Sequence, residues 1–358
     1  MEDSQQPAGE EQQKPENPLT PAPEVPGAVP NVGGTDLGFN ARIDLTELSE
    51  AVSKIKAEIG KIIVGQEQMV ELLIISLLAD GHSLIEGVPG VAKTVTAKLL
   101  AKSLNVDFNR IQFTPDLMPS DILGTSIFNI KDQEFEFKAG PIFSNVVLID
   151  EINRAPAKTQ AALFEVMAER QITIDGVQNI MNKPFLVFAT QNPIEQEGTY
   201  ALPEAQLDRF LFKINVDYPG LEEEIVILQN EHQREDHDPF ENIKPVLSAE
   251  KIIKYQQTIK KILIEDNLIK YIAGLVNQTR SNANLYLGAS PRASIAIMNG
   301  AKAKAAIEGR DFVTPEDIKT VTIPVLRHRV IVTPEREMEG FTSDRVITQI
   351  IENLEIPR

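Results

Sequence analysis

The chain has 358 residues, a length that favours about two domains, and 42% of them are hydrophobic, enough for a sizeable core. Its 35 basic and 52 acidic residues give a formal net charge of −17, which disfavours a broad nucleic-acid-binding surface. Because the chain contains no cysteine, disulfide bonds, thiolate catalysis and cysteine-ligated zinc are excluded.

No segment has the pattern of a membrane span or of a signal peptide. No apolar run reaches the roughly 18 residues that a transmembrane helix needs. The first residues, Met1 to Gln5, contain neither a basic stretch nor an apolar one. We therefore expect a soluble protein of the cytoplasm.

The first 40 residues differ in composition from the rest of the chain. They contain seven prolines, seven acidic residues and one basic residue, so they carry −6 of the total charge of −17. Such a segment buries too little apolar surface to offset the entropy lost on ordering. We predict that residues 1–40 form a disordered acidic tail, and the remaining residues still carry −11.

After the tail, strand and helix patterns alternate along the chain. Apolar residues at helical spacing predict a helix from Leu45 to Ile59 and a second from Glu67 to Asp80. Short apolar runs predict buried strands over 82–86, 145–150 and 185–190. Because helical patterns separate these strands, residues 41–220 are predicted to form an α/β core with a parallel sheet.

The core carries an insertion and is followed by helices. Apolar and polar residues alternate within 114–142, which predicts an inserted hairpin. No buried-strand pattern follows residue 220, so residues 221–358 are predicted to form an all-helical second domain. One of its helices begins at Thr314, an N-cap residue followed by Pro315. The basic cluster at 326–329 is interpreted as a solvated helix end.

A phosphate-binding loop is predicted between the first strand and the helix that follows it. The sequence matches Gly-x-x-x-x-Gly-Lys-Thr except that Ala92 replaces the second glycine. Backbone N–H groups of such a loop face phosphate oxygens, Lys93 would reach the β- and γ-phosphates, and the Thr94 hydroxyl would ligate Mg²⁺. We expect φ to be negative at Ala92, because a residue with a Cβ atom is sterically allowed mainly at negative φ. The predicted nucleotide-binding residues of the loop are Gly87, Val88, Pro89, Gly90, Val91, Ala92, Lys93, Thr94 and Val95.

Two acidic residues end the second buried strand. Asp150 and Glu151 would lie at the carboxyl edge of the sheet, beside the phosphate loop. Asp150 is predicted to hold Mg²⁺, and Glu151 to polarise the attacking water. An apolar run ending in two acids is by itself equally compatible with a solvated strand end, and the nearby loop favours the catalytic interpretation.

Three further residues are candidates for the same site. Asn192 follows the third strand and could orient the attacking water or contact the γ-phosphate. Arg209 and Arg292 could each bring positive charge to the transferred phosphoryl group. Taken singly, Asn192 also fits a simple Asn-Pro turn, and each arginine fits a surface ion pair.

Together these motifs resemble the AAA+ ATPase superfamily and, within it, the MoxR family, from about Leu45 to Pro357. The most specific matching strings are residues 111–121, 150–155 and 189–210. The alanine at position 92 is similar to what MoxR proteins carry there. The family usually has proline where this chain has Ala201.

The resemblance implies a role for each candidate residue. Residues 87–94 are the Walker A loop, Asp150 and Glu151 the Walker B acids, and Asn192 sensor 1. Arg209 is implied to be an arginine finger acting on the neighbouring subunit's nucleotide, and Arg292 to be sensor 2 on a helical lid. The segment implied to contact the adenine comprises Val64, Gly65 and Gln66.

The resemblance also implies a biological role and an assembly. MoxR-type proteins are expected to form hexameric rings that use ATP and Mg²⁺ to remodel or mature partner proteins, often ones with von Willebrand factor A domains. Two alternatives remain open at this point: a nucleic-acid-translocating AAA+ motor, and a chelatase-type ATPase subunit for metal insertion. The acidic charge and the absence of a basic module disfavour the first.

Overall fold

The computed structural model describes residues 42–131, 133–194, 198–233 and 240–356. The predicted tail at 1–40 lies outside these residues. The described strands in chain order are β1 (Ser83–Gly87), β2 (Phe108–Gln112), β3 (Gly124–Asn129), β4 (Glu134–Ala139), β5 (Val146–Asp150), β6 (Gln171–Ile174), β7 (Val177–Ile180), β8 (Leu186–Gln191), β9 (Phe212–Val216), β10 (Leu285–Leu287) and β11 (Ile331–Val332).

In chain order, helices precede, separate and follow these strands. The described α-helices are α1 (Thr46–Gly60), α2 (Glu67–Leu78), α3 (Lys93–Ser103), α4 (Pro119–Leu123), α5 (Ala157–Glu169), α6 (Glu204–Leu207), α7 (Leu221–Gln233), α8 (Ala249–Ile259), α9 (Asp266–Ser281), α10 (Pro291–Ile307), α11 (Pro315–Leu326), α12 (Pro334–Met338) and α13 (Ser343–Asn353).

A parallel sheet of five described strands, in the order β2-β5-β8-β1-β9, forms the centre of the fold. The central strands are buried on both faces, and alternate residues enter different apolar clusters. In β5, Val146 and Leu148 belong to one cluster, while Val147 and Ile149 belong to the other. The parallel α/β core predicted from the apolar runs is therefore confirmed, because only a sheet covered on both faces uses such strands.

The strand order reverses at β1, which lies between β8 and β9. In an open parallel sheet, the crevice at the carboxyl ends of the strands beside such a reversal is the usual place for a ligand. The register aligns Glu86 with Gln191 on one side and Gly87 with Val216 on the other. The turn that follows β1 therefore begins between two neighbouring strand ends.

Two strands of this sheet were absent from the sequence prediction. β2 is an edge strand in which Asn109, Arg110 and Gln112 are polar, so it lacks the continuous apolar run of a buried strand. β9 alternates apolar and polar residues in Phe-Lys-Ile-Asn-Val, and it also lies at an edge. The polar residues of both strands are partly or fully exposed, so neither strand has the continuous apolar run of a strand that is buried on both faces.

Two hairpins project from the core. The predicted hairpin is confirmed as the antiparallel pair β3–β4. The second pair, β6–β7, was not predicted, although Asp175 and Gly176 join its strands with positive φ values of 51° and 79°. An Asp-Gly dipeptide between short strands is a hairpin signal, and it was present in the sequence.

The residues after β9 are mainly helical, as predicted. Helix α11 begins as expected, since the Asp317 carboxylate accepts hydrogen bonds from the backbone N–H and the hydroxyl of Thr314 at 2.8 and 3.0 Å. The prediction of an all-helical region is wrong in one detail: β10 and β11 form a short antiparallel pair. These strands are only three and two residues long, too short for a periodic pattern. No helix within the described ranges is long and apolar enough to cross a membrane.

A buried histidine ties β1 to two neighbouring elements. His82 Nδ1 accepts a hydrogen bond from the Val187 N–H at 2.9 Å, so its Nε2–H donates to the Met167 carbonyl at 3.1 Å. The bond accepted by Nδ1 requires the neutral ring, because both nitrogens of a protonated ring are donors. Burial, and then the positive charge of Arg170, lowers the pKa of His82 to about 3.

This shift predicts that acid destabilises the fold through His82. The unfolded chain takes up a proton near pH 6.5 while the native chain does not, so stability is retained above that pH and falls as the pH decreases toward 3. We expect His82→Gln to remove about 1.4 kcal/mol per pH unit of this slope between pH 5 and 6. Urea unfolding at several pH values measures the slope. His232→Gln, at an exposed site of α7, is the matched control, and an unchanged slope in His82→Gln would contradict the assignment.

Candidate functional site

The loop between β1 and α3 has the backbone of a phosphate cradle. Gly90 and Ala92 adopt left-handed φ values of 90° and 59°. The expectation of a negative φ at Ala92 is therefore wrong. The chain must turn sharply to start α3 immediately after this residue, and the left-handed conformation makes that turn. Glycine would adopt it without steric cost, whereas a Cβ atom costs about 1–2 kcal/mol.

Lys93 is the first residue of α3 and bends back over the loop. Its Nζ donates to the Gly87 carbonyl, and it lies 3.5 Å from the Gln191 carbonyl. The start of α3 carries unpaired N–H groups and the positive end of the helix dipole. Lys93 therefore adds a positive charge to a loop that already favours an anion.

Asp150 lies at the centre of the site and is 4% exposed. Its carboxylate accepts hydrogen bonds from Thr94 Oγ1 at 3.2 Å and from Thr190 Oγ1 at 3.0 Å. Arg110 Nε lies 2.6 Å from its other oxygen. The fold thus brings the two predicted metal ligands together, although Thr94 lies at the start of α3 and Asp150 at the end of β5.

Glu151 is held at the rim of the same site. Its carboxylate accepts from Gln112 Nε2 at 3.0 Å and lies 2.9 Å from Arg154 Nε. Its backbone is left-handed, with φ at 56°, and its N–H donates to Thr190 Oγ1 at 3.1 Å. A non-glycine residue in this conformation is costly and is commonly kept where a side chain has a functional direction.

These residues surround one cavity of about 400 Å³. Asn192, which is 8% exposed, lines it as predicted, and its Oδ1 accepts from the Ile194 N–H at 3.2 Å. The cavity is lined by Pro89, Gly90, Ala92, Lys93, Thr94, Val95, Arg110, Gln112, Asp150, Glu151, Thr190 and Asn192. Cations and hydrogen-bond donors face two carboxylates across it, as a charged ligand with a bound metal ion requires.

The segment predicted to contact the adenine lies beside this cavity rather than in its lining. Gln66 Nε2 donates to the Asp217 carbonyl at 3.1 Å, just after β9 ends. Because β9 pairs with β1, residues 64–66 lie near the strand end from which the loop starts. Gln66 also lines a separate cavity of about 230 Å³ that includes the apolar side chains of Ile59, Ile63 and Val70.

The donor set fits Mg²⁺ only together with a phosphate ligand. The described parts of the chain contain no group of three or more His, Asp or Glu residues that could hold a metal ion alone. Mg²⁺ usually takes one or two protein oxygens and completes its shell with water and substrate phosphates. Thr94 and Asp150 supply that number, next to a loop built for phosphate.

Comparison with known proteins agrees with this geometry. Residues 82–212 match the family described as "ATPase family associated with various cellular activities (AAA)", and residues 277–350 match "AAA lid domain". Chaperone MoxR1 of Mycobacterium tuberculosis is 44% identical over 84% of this chain and 81% of its own. The chain belongs to the MoxR family of AAA ATPases. It is an ATPase and binds nucleotide.

Two further proteins are similar to this MoxR protein over most of its length. The uncharacterized protein YeaC of Bacillus subtilis is 44% identical over 87% of the chain and 96% of its own length. A crystal structure from Cytophaga hutchinsonii, of a protein provisionally designated an ATPase, has a TM-score of 0.80. It is 42% identical and covers 87% of this chain and 97% of its own.

The two predicted arginines of the MoxR protein lie outside the cavity lining. Arg209 is exposed in the turn after α6. Arg292, in the first turn of α10, donates to Asp208 Oδ2 at 3.2 Å, so it forms an ion pair within its own subunit. The structure therefore brings the loop, the acids and Asn192 together but brings neither arginine to them.

Sequence reasoning missed several polar residues of the site: Arg110, Gln112, Arg154 and Thr190. Arg110 and Gln112 belong to the unrecognised edge strand β2, and their alternate positions direct both side chains to the acids. Arg154 lies three residues after Glu151 and Thr190 ends the strand before Asn192, so proximity along the chain was the available signal.

The left-handed backbone at Ala92 predicts the effect of a glycine there. We expect Ala92→Gly to raise the free energy of unfolding by up to about 1 kcal/mol, because relief of the φ strain exceeds the added unfolded-state entropy. Ala97→Gly, within α3 and fully buried, is the control and should lose about 1 kcal/mol or more. Urea unfolding measures both. Equal destabilisation of the two variants would contradict the left-handed assignment.

Proposed function

We propose that this MoxR protein hydrolyses ATP in a Mg²⁺-dependent reaction and uses the energy to remodel partner proteins. The observation that carries the proposal is the Thr94 hydroxyl lying 3.2 Å from the Asp150 carboxylate, directly beside Glu151 and the phosphate loop. The proposal includes an ATPase core at 41–220 and a helical lid at 221–358. The end of the central sheet at Val216 supports that division.

Each residue of the cavity has a separate task in this proposal. The loop and Lys93 bind the phosphates, and Thr94 and Asp150 hold the cation, which when bound neutralises charge on the phosphate oxygens. Glu151 accepts a hydrogen bond from the attacking water and increases its nucleophilicity. Asn192 orients that water from the neighbouring strand end.

Among the described residues, the two cations that lie at the cavity from outside the loop, Arg110 and Arg154, are ion-paired with Asp150 and Glu151, and Arg209 lies exposed elsewhere on the surface. We propose that subunits form a ring, hexameric as in the resemblance, in which Arg209 of one subunit completes the site of the next. Arg292 supplies the lid's charge to the nucleotide. An arginine acting in trans makes hydrolysis depend on assembly.

The partner part of the proposal is supported by the name of a relative, the chaperone MoxR1. We propose that the client is a protein, with von Willebrand factor A domains as the first class to test. The described residues have an exposed apolar hairpin, including Ile127, Phe128 and Phe135, that is available for protein contacts. Clients should stay bound longest to a form that binds ATP and does not hydrolyse it.

The first test separates binding from turnover. Glu151→Gln should keep ATP affinity and lose about 10²–10⁴-fold in steady-state phosphate release, because an amide is a poor base. Lys93→Ala should weaken ATP binding, and chelation of Mg²⁺ should abolish wild-type turnover. Glu169→Gln, at an exposed position of α5, is the matched control. Undiminished turnover in Glu151→Gln would contradict the role assigned to Glu151. If the same amount of client protein co-purifies with this variant and with the wild type, the remodelling proposal is wrong.

The second test concerns Arg209. Arg209→Ala alone should lose about 10³-fold or more in turnover. Random equal mixing with Lys93→Ala subunits should place an intact loop against an intact arginine at about a quarter of the interfaces, so part of the activity should return. Phosphate release at varied mixing ratios measures this. If rings form and no ratio recovers activity, Arg209 does not act in trans.

A further inference from the structure

Arg329 is a buried arginine that follows α11, within the cluster expected to be a solvated helix end. That expectation is wrong, because Arg329 and His328 are each only 7% exposed. Arg329 Nε donates to Asp208 Oδ1 at 2.7 Å. Its two terminal nitrogens donate to four backbone carbonyls, those of Asp208 at 3.1 Å, Phe210 at 2.5 Å, Leu211 at 3.2 Å, and Val325.

The guanidinium thus has an acceptor for every one of its donors. Arginine carries five N–H donors in a fixed planar arrangement, and five acceptor atoms surround this one. Four of the acceptors belong to the segment 208–211, and the remaining one belongs to α11. A lysine at this position would keep the charge but could donate only three hydrogen bonds, without a fixed plane.

Other residues of the C-terminal helices hold the same segment. His328 Nε2 lies 3.2 Å from the Phe210 carbonyl. Ser290 Oγ and Arg292, at the start of α10, donate to Asp208 Oδ2 at 3.3 and 3.2 Å. The residues on both sides of Arg209 are therefore fixed by the lid, while the Arg209 side chain itself is exposed.

We propose that Arg329 is a positioning residue for Arg209, through which the lid of one subunit sets the direction of the arginine that completes the next subunit's site. The proposal rests on the proposed function of Arg209 in trans. Because the rigid guanidinium of Arg329 makes four of the hydrogen bonds that join the lid to the segment 208–211, a lid displacement moves the backbone that carries Arg209. Nucleotide bound in one subunit can thereby alter hydrolysis in its neighbour.

Arg329→Lys tests the proposal. We expect a loss of about 10- to 100-fold in kcat, as small displacements of a catalytic group produce, with unchanged affinity for ATP in the same subunit. Mixing with Lys93→Ala subunits should recover turnover, because the intact loop of the Arg329→Lys subunit then meets an intact arginine. Mixing with Arg209→Ala subunits should recover nothing, since both partners lack a working finger.

The control is Arg327→Lys, only two residues away. Arg327 makes a bidentate ion pair with Asp344 at 3.1 and 2.7 Å and has no hydrogen bond to residues 208–211 in the described part of the chain. Arg327→Lys should lower the free energy of unfolding, but it should not show the pattern of recovery on mixing with Lys93→Ala and Arg209→Ala subunits that is expected of Arg329→Lys. Asp208→Asn, which removes the ion pairs of Asp208 with both Arg329 and Arg292 and keeps every backbone carbonyl, should reproduce the pattern of Arg329→Lys in a second variant.

The outcomes separate this proposal from the one on which it depends. If Arg209→Ala recovers on mixing with Lys93→Ala but Arg329→Lys does not, Arg329 acts within its own site and the positioning role is wrong. If neither recovers, the trans role of Arg209 fails first. Unchanged kcat in Arg329→Lys, or failure of both Arg329→Lys and Asp208→Asn to fold, would assign the network to stability alone and overturn the proposal.

Discussion

The parallel register of the central sheet is the constraint on which the site depends. Because β1, β5 and β8 run in the same direction, the residues that follow each strand meet at one edge: the loop from Gly87, the acids from Asp150, and Asn192. These residues lie far apart in sequence, so only the sheet can unite them. Burial of the strands on both faces fixes that register, since a shift by one residue would exchange the two apolar faces.

Rigidity at this edge is maintained at a cost in backbone energy. Ala92 and Glu151 both adopt left-handed φ values, and both line the cavity. Hydrogen bonding offsets part of the strain, because Thr190 Oγ1 accepts from the Glu151 N–H and donates to the Asp150 carboxylate. One hydroxyl thus orients both acids. Strain at a binding site is expected where the surrounding contacts fix a conformation that the residue alone would avoid.

Most residues of the site could be predicted from the sequence. The features that could not be predicted were hidden for different physical reasons. The loop, the acids and Asn192 follow apolar strands, and such strands have a strong local pattern. Arg110 and Gln112 lie on an edge strand whose polar residues hide its pattern, so their contacts with the acids depend on strand pairing. The negative φ expected at Ala92 is wrong because an alanine disfavours the left-handed conformation without excluding it. The solvated position predicted for Arg329 is wrong because a cluster of charges in the sequence gives no indication of its buried partners.

Charge placement connects the site with the lid. Residues 41–358 carry a formal charge of −11, and the arginines beside the cavity face carboxylates, Arg110 facing Asp150 and Arg154 facing Glu151. Asp208 shows the same rule away from the cavity, because its carboxylate pairs with both Arg329 and Arg292. The two pairs differ in exposure: the Arg329 side chain is 2% exposed and that of Arg292 is 59% exposed. A buried pair with every donor satisfied is costly to break, whereas an exposed pair exchanges readily with solvent. The role proposed for Arg292 would therefore require only the exposed pair to break, while Arg329 keeps its hydrogen bonds to the segment that carries Arg209.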